Sequence, residues 1–341
     1  MIKITMMRRN SRMVKFGIIS FEHMHAFSYG SALGQSPKTS FVAFAEENPK
    51  RFHRIKKMFP GVKGYRSWKT LLKEADCDAV IVTSANTRHK EQVIAAARAG
   101  KHVLCEKPIA TSVADARKMI DACHKAHVKL QTAFPVRYCP AIIRAKTLLS
   151  EKKLGNILAI KTTNHGSMPG GWFVDKKLSG GGAIMDHTVH VADLLRFLMQ
   201  EEITRVYAEA TTRLHPLKVE DCGLLMMKLS GGCFATLDAS WSRPRAYKIW
   251  GDVTLEFKGT EANLSLNCFP GVLHLYVNKT MKHSTISGGD NYDLAMLEDF
   301  ADCITLKKEP FITGEDGLKA LEVAVAAYKS IKMKGPVCLP L

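Results

Sequence analysis

Along residues 14–135, apolar runs alternate with segments of helical period. Val14 to Ser20, Ser40 to Ala45, Ala79 to Val82, His102 to Cys105 and Lys129 to Ala133 read as buried strands. Between them, helices are predicted from near His25, over Lys50 to Met58, Ser67 to Lys73 and Lys90 to Ala99, and then over Ser112 to Ala126. Strands alternating with helices imply βαβ units and a doubly wound parallel sheet covered on both faces.

The pattern changes after Phe134 to Pro140. A helix over Ala141 to Ser150 is followed by strands over Ile157 to Thr163, Thr204 to Thr212, Gly223 to Leu229, Cys233 to Trp241, Asp252 to Lys258, Ala262 to Asn267 and Val272 to Val277. Ser230-Gly231-Gly232 and Lys258-Gly259-Thr260 suit hairpin turns. Helices over Asn291 to Leu306 and Glu315 to Lys332 close the chain. The fold class is α/β. Residues 14–135 form a parallel-sheet domain, and residues 136–341 form a second α/β domain with a large, mostly antiparallel, open-faced sheet. A sheet with one uncovered face invites self-association.

Composition narrows the function classes. The 341 residues are 46% hydrophobic and 24% charged, ordinary for a globular protein of two domains. No apolar window is long enough for a transmembrane helix, and residues 1–13, a basic tail expected to be disordered, lack the apolar core of a secretory signal. The net charge of +17 raises the question of nucleic acid. The basic residues are spread along the chain, as in Lys50 to Lys57, which suits a solvated surface and an anionic cofactor better than a nucleic-acid or membrane partner. Nine cysteines without C-x-x-C spacing read as free thiols of a reducing cytoplasm.

Candidate chemistry concentrates in two places. The strand His102 to Cys105 ends in Glu106-Lys107-Pro108, because proline cannot continue a central ladder. This puts a lysine at the carboxyl edge of the sheet, where open α/β sheets bind ligands. A surface lysine before a turn is the alternative. The second place is Ser179 to Leu198, where Gly180-Gly181-Gly182 precedes Asp186, His187, His190 and Asp193. Asp186, His190 and Asp193 share one helix face. A carboxylate beside an imidazole suits general acid–base chemistry, a structural pair or a metal site, and spacing alone leaves all three open.

The first strand-to-helix turn, where a dinucleotide fold carries G-x-G-x-x-G, reads Ser20-Phe21-Glu22-His23-Met24-His25 without a glycine. Alone it reads as an ordinary turn. Glu46 ends the second strand, where an acid suits ribose hydroxyls and repels a 2′-phosphate. Thr83 to His89 places small polar groups at the end of the third strand.

Together, the E-K-P at Glu106 to Pro108 and the G-G-G-x-x-x-D-x-x-x-H-x-x-D from Gly180 to Asp193 resemble the Gfo/Idh/MocA oxidoreductases. The likeness runs from Val14 to Glu322 and includes Thr83 to His89 and Arg137 to Pro140. The resemblance implies a Rossmann domain, an open-sheet domain paired into a homodimer or homotetramer, and Lys107 as the catalytic lysine with Asp186 and His190 as partners. It also implies a cis Lys107–Pro108 bond. The glycine fingerprint is missing at Ser20, Glu22 and His25, and Thr188 stands where many members have a smaller residue.

The expected reaction is hydride transfer between NAD, with NADP disfavoured, and a secondary alcohol of a sugar or inositol-like polyol. His190 is the expected base, Lys107 stabilises the same oxygen, and Asp186 orients them. Cofactor contacts are expected from Ser20, Phe21, His23, Met24, Glu46, Thr83, Ser84, Asn86, His89, Glu106, Lys107 and Arg137. Substrate contacts are expected from Lys107, His165, Trp172, Asp186, His187 and His190, with the loops Gly166 to Leu178 and Ser242 to Trp250 setting specificity. No metal is expected. An NAD-dependent glycoside hydrolase and a non-catalytic sensor are the rival readings.

Overall fold

The computed structural model describes residues 12–244, 246–247, 251–269, 272–277, 282–287 and 291–341. Residues 1–11 of the expected tail, and part of the loop from Ser242 to Trp250, lie outside the described residues.

The first half alternates as its apolar pattern requires: β1 (Val14–Ile19), α1 (His25–Leu33), β2 (Thr39–Ala45), α2 (Pro49–Met58), β3 (Lys63–Tyr65), α3 (Trp68–Glu74), β4 (Ala79–Val82), α4 (His89–Arg98), β5 (His102–Cys105), α5 (Val113–Lys125) and β6 (Leu130–Thr132). The six strands pair in parallel in the order β3-β2-β1-β4-β5-β6. That is the Rossmann order, and it opens a crevice between the carboxyl ends of β1 and β4, where the strand order reverses. Side-chain caps start the helices: Asn48 accepts from the N–H groups of Lys50 and Arg51, and Ser112 from that of Asp115. Strand β3 escaped the sequence reading because three residues carry too little periodicity.

The second half runs α6 (Pro140–Ser150), β7 (Ile157–His165), α7 (Lys176–Ser179), α8 (Ala183–Met199), β8 (Ile203–Thr211), β9 (Cys222–Leu229), β10 (Phe234–Ser240), β11 (Thr254–Gly259), β12 (Asn263–Asn267), β13 (Val272–Val277), β14 (Lys282–Ser287), α9 (Tyr292–Thr305), α10 (Gly314–Met333) and β15 (Val337–Cys338). Seven of these strands form one sheet, β12-β11-β7-β10-β9-β8-β15. It is antiparallel except for β7 against β10, which run parallel. The long connection holding α8 permits this, since parallel neighbours need a crossover. Strands β13 and β14 pair as a separate hairpin.

Helix α8 is buried from Ala183 to Leu195 between this sheet, α6 and α10. The closing helices do not stay with the second sheet. Helix α9 packs on α1, with Phe300 6.2 Å from the ring of Phe16, and Met296, Leu297 and Phe300 complete the core around β1. Helix α10 packs on α5 as well as α8, and Gly317 leaves room for Thr132, whose Oγ1 would lie 2.2 Å from an added Cβ. The chain thus returns to its first domain after building its second.

Candidate active site

The cleft chemistry starts from where β5 stops. The Lys107–Pro108 bond is cis, and the Lys107 side chain is 3% exposed. Its Nζ lies 2.6 Å from Asp186 Oδ1 and 3.4 Å from the Asp186 carbonyl oxygen. The lysine comes from the first sheet and the carboxylate from the first turn of α8. The other oxygen, Oδ2, accepts from Trp241 Nε1 at 3.1 Å and lies 3.2 Å from His187 Nε2. His187 is oriented by donating from Nδ1 to the Asn164 carbonyl oxygen at 2.8 Å. Burial alone would raise Asp186. The Lys107 ammonium, aided by His187, more than reverses this and holds its carboxyl well below the ordinary carboxylate range.

His190 lies one helical turn beyond Asp186 and is 7% exposed. Burial, reinforced by Lys107, pushes its imidazole well below the ordinary histidine value, so the ring is neutral near pH 7. Its Nδ1 is buried without a hydrogen-bond partner among the described residues, and the ring meets Phe134 edge-on at 5.8 Å. A neutral imidazole next to a buried ammonium can accept a proton from a group bound between them.

The glycines before α8 serve close packing. A Cβ on Gly181 would lie 1.9 Å from Tyr328 Oη, and one on Gly182 would lie 2.0 Å from the Glu220 carbonyl oxygen. Tyr328 Oη donates to Glu220 Oε1 at 2.6 Å and accepts from the N–H groups of Gly182 and Met185. This arrangement ties the start of α8 to α10 and sets the height of Asp186 over Lys107.

The other wall of the cleft is the first strand-to-helix turn. Ser20 adopts φ +71°, the left-handed conformation that glycine ordinarily supplies. Thr83 Oγ1 holds it by donating to the Ser20 carbonyl oxygen at 2.7 Å, and His23 N–H donates to the Thr83 carbonyl oxygen at 3.0 Å. A cavity of about 490 Å³ opens beside this turn, lined among others by Ser20, Glu22, Glu46, Asn48, Arg51 and Arg88. Its place at the switch point, its size and its mixed polar lining fit the adenosine half of a dinucleotide.

Toward Lys107, His23, His25 and Glu106 converge, with their ligating atoms within 4.8 Å of one another. His25 N–H donates to His23 Nδ1 at 3.2 Å, which leaves the His23 proton on Nε2 as a buried donor. Burial lowers His23 to about 3. Glu106 is fully buried and accepts from Tyr29 Oη (2.5 Å), from the Lys107 N–H (3.0 Å) and from His25 Nδ1 (2.9 Å). Burial acts to lower His25, but Glu106 outweighs it and the net shift is upward.

Several expected cofactor groups turn inward. Arg137 is buried in a forked pair with Asp193 (2.6 and 2.7 Å), donates to the Phe311 carbonyl oxygen and lies 3.1 Å from Asp316. It clamps the start of α6 to α8 and α10, and Asp193 spends its share of the α8 face on this clamp. His89 is fully buried between the carbonyl oxygens of Ser84, Pro108 and Ile109, where it shapes the E-K-P turn. Ser84 Oγ donates to Gln92 on α4. The Phe21 ring packs on Phe27 and Phe44 in the core. Asn86 reaches across the cleft to the Ser179 carbonyl oxygen at 2.8 Å, whereas Met24 is exposed. Glu46 ends β2 as expected, but its oxygens already accept from Phe21 N–H, Asn48 N–H and the Arg51 fork.

Two expected substrate groups also move. Trp172 stacks on Phe173 at 3.9 Å and donates Nε1 to the Glu22 carbonyl oxygen at 3.1 Å, so it roofs the dinucleotide turn. His165 lies between Asp252 (2.9 Å) and Asp238 (3.1 Å), both ring nitrogens engaged. Strand alternation turns His165 away from α8, whereas its neighbour Asn164 is buried on the α8 side. Trp241, Tyr29 and Glu22 were not among the expected site residues; in the sequence Glu22 marks only a missing glycine. The signal for Trp241 was slight: a tryptophan closing a buried strand needs a partner for its indole N–H.

A Rossmann sheet that brings a buried lysine to a carboxylate and an imidazole on an open-sheet domain defines a two-domain, dinucleotide-dependent oxidoreductase. Residues 14–134 match the family description "Oxidoreductase family, NAD-binding Rossmann fold", and residues 142–265 match "GFO/IDH/MocA C-terminal domain". The chain is 31% identical over 277 residues to a 1,5-anhydro-D-fructose reductase of Ensifer adhaerens, covering 79% of this chain and 81% of that protein. It is 27% identical over 315 residues to a myo-inositol 2-dehydrogenase of Thermotoga maritima, covering 87% and 90%. The solved structure of a scyllo-inositol dehydrogenase from Lactobacillus casei, with NAD(H) and scyllo-inositol bound, superimposes with a TM-score of 0.81 at 23% identity, covering 96% and 99%. The chain belongs to the Gfo/Idh/MocA family, and its first domain is that family's NAD-binding domain.

Proposed function

We propose that this enzyme transfers a hydride between nicotinamide and a secondary alcohol carbon of a sugar or cyclic polyol. One observation carries the reading: a buried ammonium from the first domain meets a carboxylate from the second at 2.6 Å, with a neutral imidazole one helical turn away. Polyol-dehydrogenase relatives support the substrate class. The nicotinamide, when bound, supplies the hydride acceptor. Lys107 donates a hydrogen bond to the reacting oxygen and stabilises its developing negative charge. His190 takes the hydroxyl proton, and Asp186 holds Lys107 in place. Trp172 and Phe173 exclude water above the turn.

The test is a panel of inositols, aldoses and anhydro-sugars with NAD, read at the absorbance of NADH. A cyclic polyol or sugar that drives NADH formation supports the reading. NADH binding without oxidation of any secondary alcohol in the panel would sink it.

The open face of the second sheet supports assembly into a homodimer or homotetramer. Leu224 (58% exposed), Met226, Phe234 and Tyr207 share that face by strand register. Light scattering tests this, and a monomer at micromolar concentration contradicts it. All nine cysteines are free, which supports a cytoplasmic location. Among the described residues, no helix is long and apolar enough to cross a membrane.

A further inference from the structure

We propose that Glu22 sets dinucleotide affinity in this chain, because its carboxylate fills the anion position of the first strand-to-helix turn. A dinucleotide then enters by taking over the partners of Glu22. The inference rests on the reading of this site as a nicotinamide dinucleotide site.

In a dinucleotide turn the second glycine lets the backbone approach the pyrophosphate. Glu22 stands at that place. Its side chain does not swing out to water but lies over the turn, 15% exposed, inside the 490 Å³ cavity. Oε2 accepts from the Ala85 N–H at 2.9 Å, and Oε1 accepts from Arg88 Nη1 at 3.1 Å, with Arg51 Nη2 at 3.8 Å. A backbone N–H from the end of β4 and two guanidinium groups make a phosphate's set of partners. Here the chain's own carboxylate holds the N–H and Arg88, with Arg51 close by and forked onto Glu46. The backbone is fixed as well: Glu22 N–H donates to Ser20 Oγ at 3.2 Å, and the Glu22 carbonyl oxygen accepts from Trp172. The plug is therefore built in, and the second domain sits on it.

The cavity also carries Glu46, Glu47 and Glu91, so Arg51 and Arg88 face an acidic lining. A phosphate arriving with Glu22 in place meets a like charge and competes for the same arginines. Removing that one charge changes affinity by a factor on the order of ten at the effective dielectric of a partly exposed site.

The experiment uses the full chain and fluorescence titration with NADH, with ADP and adenosine as competitors. Glu22→Gln keeps the shape and removes the charge. It is expected to bind NADH and ADP about tenfold more tightly than wild type, and adenosine, which lacks phosphate, equally. Arg88→Ala leaves Glu22 intact and is expected to weaken NADH binding about tenfold, since the phosphate loses a partner. Equal NADH affinity in wild type and Glu22→Gln, an equal gain for adenosine, or unweakened binding in Arg88→Ala overturns the inference while leaving the cofactor reading standing. If neither wild type nor Glu22→Gln binds NADH at all, the cofactor reading itself fails and takes the inference with it.

Discussion

The two walls of the cleft solve the burial of charge in opposite ways. On the Lys107 wall, two charges meet across the domains: Lys107 pairs with Asp186, whose second oxygen is held by Trp241 and His187 of its own domain. Little of this wall reaches solvent. On the dinucleotide wall, partners come from the same domain and are shared: Glu22, Glu46, Arg51 and Arg88 form a network open to a cavity. Removing one partner from a dry pair leaves a stranded charge, which is costly. Removing one from a wet network lets solvent and the remaining partners adjust. The first wall is therefore built to hold one geometry, and the second to exchange partners with a ligand.

The sharpest way to break this comparison is at the reacting centre. His190→Ala should lower turnover by about 10²–10⁴-fold. NADH affinity should stay within about threefold, because His190 belongs to the dry wall. Stopped-flow turnover with parallel NADH titration checks both, and unchanged turnover removes His190 from the mechanism.

Next comes the Arg137 clamp, whose pair with Asp193 is 4% and 1% exposed. Arg137→Ala strands Asp193 in the core and should cost about 3–5 kcal/mol of stability by denaturant titration. A loss near that of an exposed pair, about 1 kcal/mol or less, would show that the clamp is not needed.

On the wet wall the effects are smaller. Glu46→Ala should narrow the preference for NADH over NADPH by about tenfold, since the repulsion of a 2′-phosphate goes and Arg51 is freed. Equal discrimination before and after would remove Glu46 as the selector.

The smallest effect is a pH dependence at the junction of the walls. His25 is raised above its ordinary value of 6.5 by Glu106, against burial. Its pairing therefore contributes fully to stability below 6.5 and is lost as pH rises through the higher folded value. Wild type should lose stability relative to His25→Gln as pH rises from 6.5 through the raised folded value. Parallel pH profiles for the two proteins would contradict this.

Legibility divided along a physical line. Periodicity and chain-breaking residues are local, so the alternation of β1, β2, β4, β5 and β6 with their helices, the stop at Pro108 and the faces of α8 could be read from residue order alone. Proline, glycine and helical spacing marked Lys107, Asp186 and His190 as candidates but left their roles open; only the family resemblance grouped them. The roles of Arg137, His89, Trp172 and His165 were not legible. Each is a polar side chain with at least one partner on another element, and a hydrogen bond is decided by the few ångströms between two atoms.

Residue order determined the layers of this protein, the strand end that carries Lys107 and the helix face that carries Asp186 and His190. Only the tertiary structure decided which polar groups remain available to a ligand and which hold the walls together. Burial makes every polar group take the nearest partner, and which partner is nearest depends on how distant segments pack. Glu22 shows this most directly: in the sequence it marks only a missing glycine, and in the fold its carboxylate lies on two arginines and a backbone N–H.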